Sequence, residues 1–593
     1  MFLLFALSSH AASVTVLDGE SIAEACNEAV DTDVITIDAG RKLQGNAEDD
    51  CVLNLVTGVT LQGNGSGAVM GSLESYYADG LLVDSLGVGP SDFDSLGSTL
   101  TVWFSDGVEL RDVELLGIGE TGYGVYFFDS NNVVIDGLSG SSLGRPDDAA
   151  LIWGGQESAG ALAGQLDDVV LQGPGARVYV GATSGSSLLM SGLVLQDGQG
   201  DFEAGGCFYQ GGTKGGASVT MDEPQISGCY ADFGGAVHLD EGLLLVKGGR
   251  VHQNEAWFGG AFDVAALGEL SLQDGVMVDQ NVASDGSAVY VESGRLSMVD
   301  ASIEGNVSVF LDGDPPTGGA VTAVEPKKLI LQDVVFCGNS VDSPDEPMGS
   351  ALSVFGSGGT SDKPSLSYSE LRDNSGAQAV LFLEDHQATT IQNNSFVGND
   401  ASTLVDIGPG GAVLLDSNLL MDAKVGHPFS GTLGTGYNYW YQVDEPAPNG
   451  SANAQDIDDG VDPGLVAGYN PAKCGLPLTL DKGSPLIDAG NPSKSLDPDG
   501  TTRDIGANPT EQIPDTGDTG ETGDSGGETG DSGGETGETG DSAPVETGEP
   551  ELPVVELPIT LSGGCGQSGG TSGAASFLLG LALLGLRRRN RRP

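Results

Sequence analysis

Three stretches of this chain repeat one another: Ser227-Gly-Cys-Tyr-Ala-Asp-Phe-Gly-Gly-Ala-Val237, Gln253-Asn-Glu-Ala-Trp-Phe-Gly-Gly-Ala-Phe262 and Gln280-Asn-Val-Ala-Ser-Asp-Gly-Ser-Ala-Val289. In each, Gly-Gly or Gly-Ser is followed by Ala and an apolar residue, starting at Gly234, Gly259 and Gly286, a period of 25 to 27 residues. A repeat this short holds two or three strands and cannot bury its own apolar side. Successive copies must therefore stack into a coil with one continuous core. An Asn at the turn tolerates left-handed backbone angles, and its amide can hydrogen-bond to the Asn of the neighbouring coil. Gly-Gly allows a sharp corner, and Ala followed by Val or Phe starts an inward-facing strand where a thin core needs small residues beside larger ones.

Weaker copies extend the pattern: Gly205-Gly-Cys-Phe208, Gly318-Gly-Ala-Val321, Gly349-Ser-Ala-Leu352 and Gly410-Gly-Ala-Val413, with turn asparagines at Asn306, Asn339, Asn374 and Asn399. Insertions at Leu311–Thr317 and Asp342–Pro347 stretch some spacings beyond 30 and read as loops on one face. At about 27 residues per coil, some 390 residues make on the order of 14 coils, a rod of roughly 65–70 Å at ~4.8 Å per rung. A β-propeller needs about 40 or more residues per blade and aromatic blade signatures, which this pattern lacks. The expected fold is all-β: a right-handed parallel β-helix, a pectate-lyase-like solenoid, over residues 61–442. The 95 glycines and 18% charged residues suit a chain of many turns and few surface helices.

Ahead of it, residues 13–60 hold the first strands and a short capping helix. Ser21-Ile-Ala-Glu-Ala-Cys-Asn-Glu-Ala-Val30 sets Ile22, Ala25, Cys26 and Ala29 on one face, with Ser21 as N-cap and Glu24 three residues on. Such a helix would shield the open edge of a strand stack. Residues 1–12 carry an apolar run followed by small residues and read as a signal peptide cleaved near Ala12, without the usual positive start. The seven cysteines form no C-x-x-C pair, so zinc-ribbon and thioredoxin-like chemistry is not indicated. In an oxidising compartment Cys26 with Cys51, and Cys207 with Cys229, are the sequence-near disulfide candidates. Buried free thiols are the alternative.

The Gly-Gly-Ala-Val/Phe unit with its turn Asn, over residues 200 to 415, resembles the repeat of polymorphic outer membrane proteins and related adhesin-like β-helices. Downstream, Val461-Asp-Pro-Gly-Leu465, Gly483-Ser-Pro-Leu-Ile-Asp-Ala-Gly490 and Asp497-Pro-Asp-Gly-Thr-Thr-Arg-Asp-Ile-Gly-Ala507 resemble the closing segment of bacterial right-handed parallel β-helix repeat proteins. That segment is assigned to residues 443–510. Polymorphic outer membrane proteins end in a translocating β-barrel, and no run of amphipathic strands follows residue 510, so the resemblance does not extend to autotransport.

Residues 511–561 repeat Asp/Glu-Thr-Gly and Asp-Ser-Gly-Gly, a self-repelling composition expected to form a disordered acidic linker. Residues 562–593 then read as a sorting signal: Ser562-Gly-Gly-Cys-Gly-Gln567, an apolar run at 574–586 expected to be a short transmembrane helix, and the stop Arg587-Arg-Arg-Asn-Arg-Arg592. The layout resembles myxobacterial-type C-terminal sorting signals, in which an intramembrane protease removes the helix. By that resemblance Cys565 marks the processing site, carries a lipid, and makes the export and sorting machinery and the outer membrane partners of the chain.

A formal net charge of −62 makes nucleic acid an improbable partner, because phosphate binding needs a cationic footprint. Acidic loops can hold calcium, the single cofactor worth weighing: Asp456 and Asp458, and Asp497 and Asp499, alternate as calcium ligands do, without an EF-hand's Gly and distal Glu. Solvated turns are the simpler reading. Polysaccharide lyases and hydrolases need clustered carboxylates with a cation. Arg145, Asp147 and Asp148 are the nearest such group, and a turn closed by an ion pair is the plainer account. His238, His252, His386 and His427 stand apart from any nucleophile or metal-ligand spacing. Tyr437-Asn-Tyr-Trp-Tyr441 is either a platform for a sugar ring or the end of the core. Three functions fit: a non-enzymatic surface rod, adhesive or structural, facing a polysaccharide or a neighbouring cell surface; an extracellular polysaccharide lyase or glycoside hydrolase; or a carbohydrate-binding surface protein without turnover.

Overall fold

The computed structural model describes residues 11–508 apart from 42–46, 90–98, 117–123, 142, 144–148, 156–160, 183, 201–203, 213–215, 310–317, 343–347, 357–363, 385–388, 409–411, 422–428, 431, 444–455, 458–459, 466–473, 475–476 and 498. The chain divides into two units, Met1–Gly517 and Asp518–Pro593, and the described residues all belong to the first.

Every named strand pairing is parallel, and each joins a residue to its counterpart one coil later. The chain is an all-β parallel β-helix, as the repeat requires. A first ladder climbs through Val34, Thr60, Leu82, Glu109, Val134, Gln165, Leu189, Thr220, Leu245, Ser271, Ser297, Ile330, Ser365, Thr390, Leu414 and Gly434. Those fifteen steps average about 27 residues, and at ~4.8 Å each they carry the coil roughly 70 Å.

Each coil contributes to two further ladders. The strand Val237–Lys247 shows the order: Val237 to Leu239 lie in the third ladder, Leu243 to Lys247 in the first, and Arg250–His252 in the second. A short fourth ladder of five strands, Tyr230–Phe233, Glu255–Phe258, Val282–Asp285, Val307–Ser308 and Ser340–Val341, fills the corner between the turn Asn and Gly-Gly. In the sequence both long insertions, Leu311–Thr317 and Asp342–Pro347, follow strands of this ladder, and all their residues but Asp342 lie outside the described residues.

Alternate residues of each strand point into one core: Val237, Phe262, Val289 and Val321 from the third ladder meet Leu244, Leu270, Leu296 and Leu329 from the first. Ala236, Ala261, Ala288, Ala320 and Ala351 are fully buried just ahead of them, the small residues of the tight corner. Gly234, Gly259 and Gly286 have φ of 64°, 67° and 61°, and a Cβ at Gly234 would lie 2.0 Å from the Val237 carbonyl oxygen. The glycine is a steric requirement.

The asparagines form a continuous buried ladder. Oδ1 of Asn281 accepts the backbone N–H of Asn254 at 3.0 Å and its Nδ2 at 2.9 Å, and the same double bond recurs through Asn306, Asn339, Asn374 and Asn399. Each Nδ2 also donates to a carbonyl of the preceding coil, as Asn281 does to Val251 at 3.1 Å. A second ladder, Asn394–Asn418–Asn438, runs at the corner between the first and second ladders and ends on Asp456.

The helix Ile22–Glu28 starts at Ser21, whose Oγ accepts the Glu24 N–H at 3.1 Å, and it buries Ile22 and Cys26 in the core of the first coils. Cys26 is disulfide-bonded to Cys51 and Cys207 to Cys229. A third disulfide, Cys337–Cys474, spans 137 residues and lies beyond what sequence proximity offers. It leads into the closing segment, which packs along the side of the last coils: Leu480, Leu486 and Ile505 cluster with Leu419 and Tyr439, and Leu478 N–H donates to Glu370 Oε1 at 2.9 Å. Tyr439 and Trp440 are buried, and the Tyr439 hydroxyl donates to the Val461 carbonyl at 2.6 Å. Tyr439 and Trp440 belong to the core, and no sugar platform is built from those two rings, while Tyr437 and Tyr441 are half-buried.

Candidate functional site

Side chains of the third ladder that point away from the core make one lateral face, on which Thr101, Asp263 and Tyr290 are themselves buried. Strand register aligns Glu74, Thr101, Tyr126, Ile152, Tyr179, Tyr209, His238, Asp263 and Tyr290 in one row, a residue per coil. Beside it run Tyr76, Trp103, Phe128, Gly154 and Gly181. Period-two alternation places them: their neighbours Leu73, Leu100, Val125, Leu151 and Val178 point inward and are fully buried.

Near the start of the solenoid the face is aromatic. Tyr76 and Trp103 stack with centroids 6.1 Å apart, and Trp103 meets Phe128 at 4.9 Å and Tyr126 edge-on at 5.5 Å. Tyr77 and Phe104 stack at 5.1 Å on the adjoining corner, 52% and 38% exposed, next to Leu55 at 74%. Leu55, Tyr77 and Phe104 have φ of 55°, 52° and 53°. Each donates its backbone N–H to the next coil, to the carbonyls of Tyr76, Trp103 and Phe128. Later coils repeat this corner with Asp129, Ser293 and Glu325, also at positive φ and also donating to the next coil.

Farther along, Tyr179 and Tyr209 stack at 4.9 Å, Tyr209 and the His238 ring at 5.4 Å, and His238 Nδ1 lies 2.6 Å from Asp263 Oδ2. Gly181 and Gly211 let the two tyrosine rings lie over the sheet, for a Cβ would come within 2.7 and 2.6 Å of them. With Nδ1 donating to Asp263, the imidazole offers Nε2 for a further bond. Asp240, two residues along the same strand, has its carboxyl pushed above the usual range by burial and by the charges of Glu241 and Asp263, against the opposing pull of His238. His238 therefore does not stand apart: its partner is 25 residues away in sequence and one coil away in space, a separation that only the coil register reveals. His252 lies on the second ladder, its protonation disfavoured by burial and by Arg250. His386 and His427 lie outside the described residues.

Arg145, Asp147 and Asp148 also lie outside the described residues, ahead of the strand Leu151–Gly154 in the chain, as do Asp458 and Cys565. The other calcium candidates are engaged in closing turns. Asp456 Oδ1 accepts two bonds from Asn438, Asp497 Oδ2 accepts the Asp504 N–H at 2.7 Å, and Asp499 Oδ1 accepts from Thr501. Among the described residues no group of three or more acidic, His or Cys side chains is placed to hold a metal ion. No helix among them is long and apolar enough to cross a membrane, and the run at 574–586 is not among them.

No family model and no curated protein matches the chain. Among solved structures it is similar to the A-module of a mannuronan C-5 epimerase of Azotobacter vinelandii (10% identity, 70% of this chain and 91% of that one, TM-score 0.23). It is also similar to PfbA, a surface adhesin of Streptococcus pneumoniae (11%, 75% and 97%, TM-score 0.22), and to the pectate lyase Pel9A (11%, 84% and 97%, TM-score 0.19). These likenesses assign no residue of this chain a role, and the fold stands on its own strand pairing.

Proposed function

We propose that this chain is an exported, surface-displayed β-helix that binds a polysaccharide along the third face. One observation carries the reading: side chains of the kinds that contact sugars line this face on most coils, Tyr76, Trp103 and Tyr126, then, past the coil of Ile152 and Gly154, Tyr179, Tyr209 and His238, which the buried Asp263 holds. Aromatic rings offer apolar surface to the C–H faces of sugars, and phenol, imidazole and carboxylate groups exchange hydrogen bonds with hydroxyls. A coil rise of ~4.8 Å is comparable with the length of one pyranose unit, so a glycan lying along the rod passes about one coil per sugar. Binding by the full chain on a glycan array tests this, with Tyr209→Ala and His238→Ala expected to lose the signal. An array with no bound glycan sinks it.

Display at the outer membrane rests on the tail. The acidic repeats of 511–561 would hold the rod off the surface, and the Cys565-to-Arg592 layout would direct sorting. Cys565→Ala should release the protein into the medium, and unchanged surface attachment would reject that anchoring. Turnover is the second reading, favoured by the raised carboxyl of Asp240 beside the His238–Asp263 pair. Its sign would be oligosaccharide products whose release stops in Asp240→Asn.

A further inference from the structure

We infer that the glycan taken by the third face bears protonated amines and is not a polyuronate, an inference that rests on the carbohydrate-binding reading above. Two independent features of the same surface point to that ligand.

The first is the corner strip Leu55, Tyr77 and Phe104. An L-residue in the left-handed region is less stable by roughly 1–2 kcal/mol, and Asn, Asp or Gly are the residues that relieve it. Later coils follow that rule at this corner with Asp129 and Gly356, while Ser293 and Glu325 bear the same conformation with polar side chains. Three successive coils instead hold large apolar side chains there, exposed, where the core gains nothing from them. Bulky exposed residues kept in a strained conformation mark a surface built for contact. Ring faces in that position attract cations through their quadrupole as well as sugar C–H groups.

The second is charge. The two outward rows contain Glu74, Asp240 and Glu292, with Asp263 buried against His238, and, among the described residues, no Lys or Arg. Asp79, Asp106 and Asp129 flank Tyr77 and Phe104 on the same corner, Asp106 N–H donating to Asp79 Oδ1 at 2.8 Å. Arg177, at the head of the strand Val178–Gly181, is buried and donates to the carbonyls of Ala204 and Gly205. Among the described residues of these rows, a polymer with a carboxylate on each sugar meets carboxylates and no cation, whereas an ammonium-bearing sugar meets carboxylates and ring faces together.

The test titrates the full chain with three oligomers of equal length: β-linked glucosamine, its N-acetylated form, and galacturonate. The amino oligomer should bind tightest. Glu74→Gln with Asp129→Asn should weaken it by about tenfold, and so should Tyr77→Asn with Phe104→Asn, whose Asn side chains suit the left-handed corner, so that the thermal midpoint does not fall. Asp222→Asn with Asp274→Asn removes the same charge from exposed positions off this face and should change binding by less than about twofold. Equal weakening by that control pair would show attraction to net charge alone and overturn the inference. Preference for galacturonate overturns it too. Equal binding of the acetylated oligomer, still lost in the Tyr77/Phe104 variant, rejects the amine while leaving carbohydrate binding standing. Failure of all three oligomers, and of the glycan array, takes both readings down.

Discussion

Asn281 shows how much one side chain carries in a solenoid. Its Oδ1 is the acceptor for both the N–H and Nδ2 of Asn254, its Nδ2 serves Asn306 and Val251, and it is fully buried. Asn281→Ala leaves those two donors of Asn254 in a dry corner, at about 1–3 kcal/mol for each stranded group. The expected loss is roughly 3 kcal/mol or more, read as a lower urea midpoint, and a loss below about 1 kcal/mol would mean that water or a backbone shift replaces the bond. This ladder was legible in the sequence because its members recur beside Gly-Gly-Ala. The ladder of Asn394, Asn418 and Asn438 was not, because its corner carries Ser369 one coil earlier and no flanking motif marks it. His238 escaped for a related reason. Its meaning lies in Asp263, on another coil, and no local spacing announces a partner that register alone brings to 2.6 Å.

At the scale of elements, the closing segment behaves differently from the coils that it covers. The strands were readable from alternation and turn residues. The segment's path was not, since its described residues have almost no regular structure and are held by side chains from distant coils. Asn491 Nδ2 donates to Asp416, Arg503 reaches Asn393 at 3.0 Å and lies 5.3 Å over the Tyr368 ring, and Cys337–Cys474 staples its start. Burial raises the carboxyls of Asp416 and Asp497 above the ordinary range, more than the neighbouring Asn491, Lys494 and Arg503 lower them. A carboxyl whose pKa rises on docking favours the docked state while protonated. Its contribution is complete below the free value of about 4 and is lost as pH climbs through the higher docked value. The segment should therefore hold most firmly in mild acid. Hydrogen exchange across residues 484–508, corrected for intrinsic rates, should speed up as pH rises from about 4 to 7, and Asp416→Asn should flatten that dependence. A flat profile in the unaltered protein would mean that these two carboxyls do not control docking.

Across the whole molecule, stacking turns sequence charge into columns. Asp300 and Asp333 occupy the same corner one coil apart, and Asp300 helps burial to raise the Asp333 carboxyl. Two unit charges one rung apart repel by about 1 kcal/mol even in water, and a chain with 85 acidic against 23 basic residues repeats such encounters along its length. The unfolded chain spreads the same charge over a much larger volume, so this repulsion falls mainly on the folded rod. Salt shortens the Debye length from about 30 Å at 0.01 M to about 3 Å at 1 M and removes most of it. The thermal midpoint should therefore rise steadily with sodium chloride, opposite to a fold held by surface ion pairs. A midpoint that falls with salt would show that pairs such as Arg250–Asp279, at 2.6 Å, outweigh the acidic columns. Calcium chloride at matched ionic strength is the companion measurement. An equal rise marks screening alone, whereas a larger one marks a specific site, because a bound ion stabilises by mass action in proportion to its occupancy of the folded state.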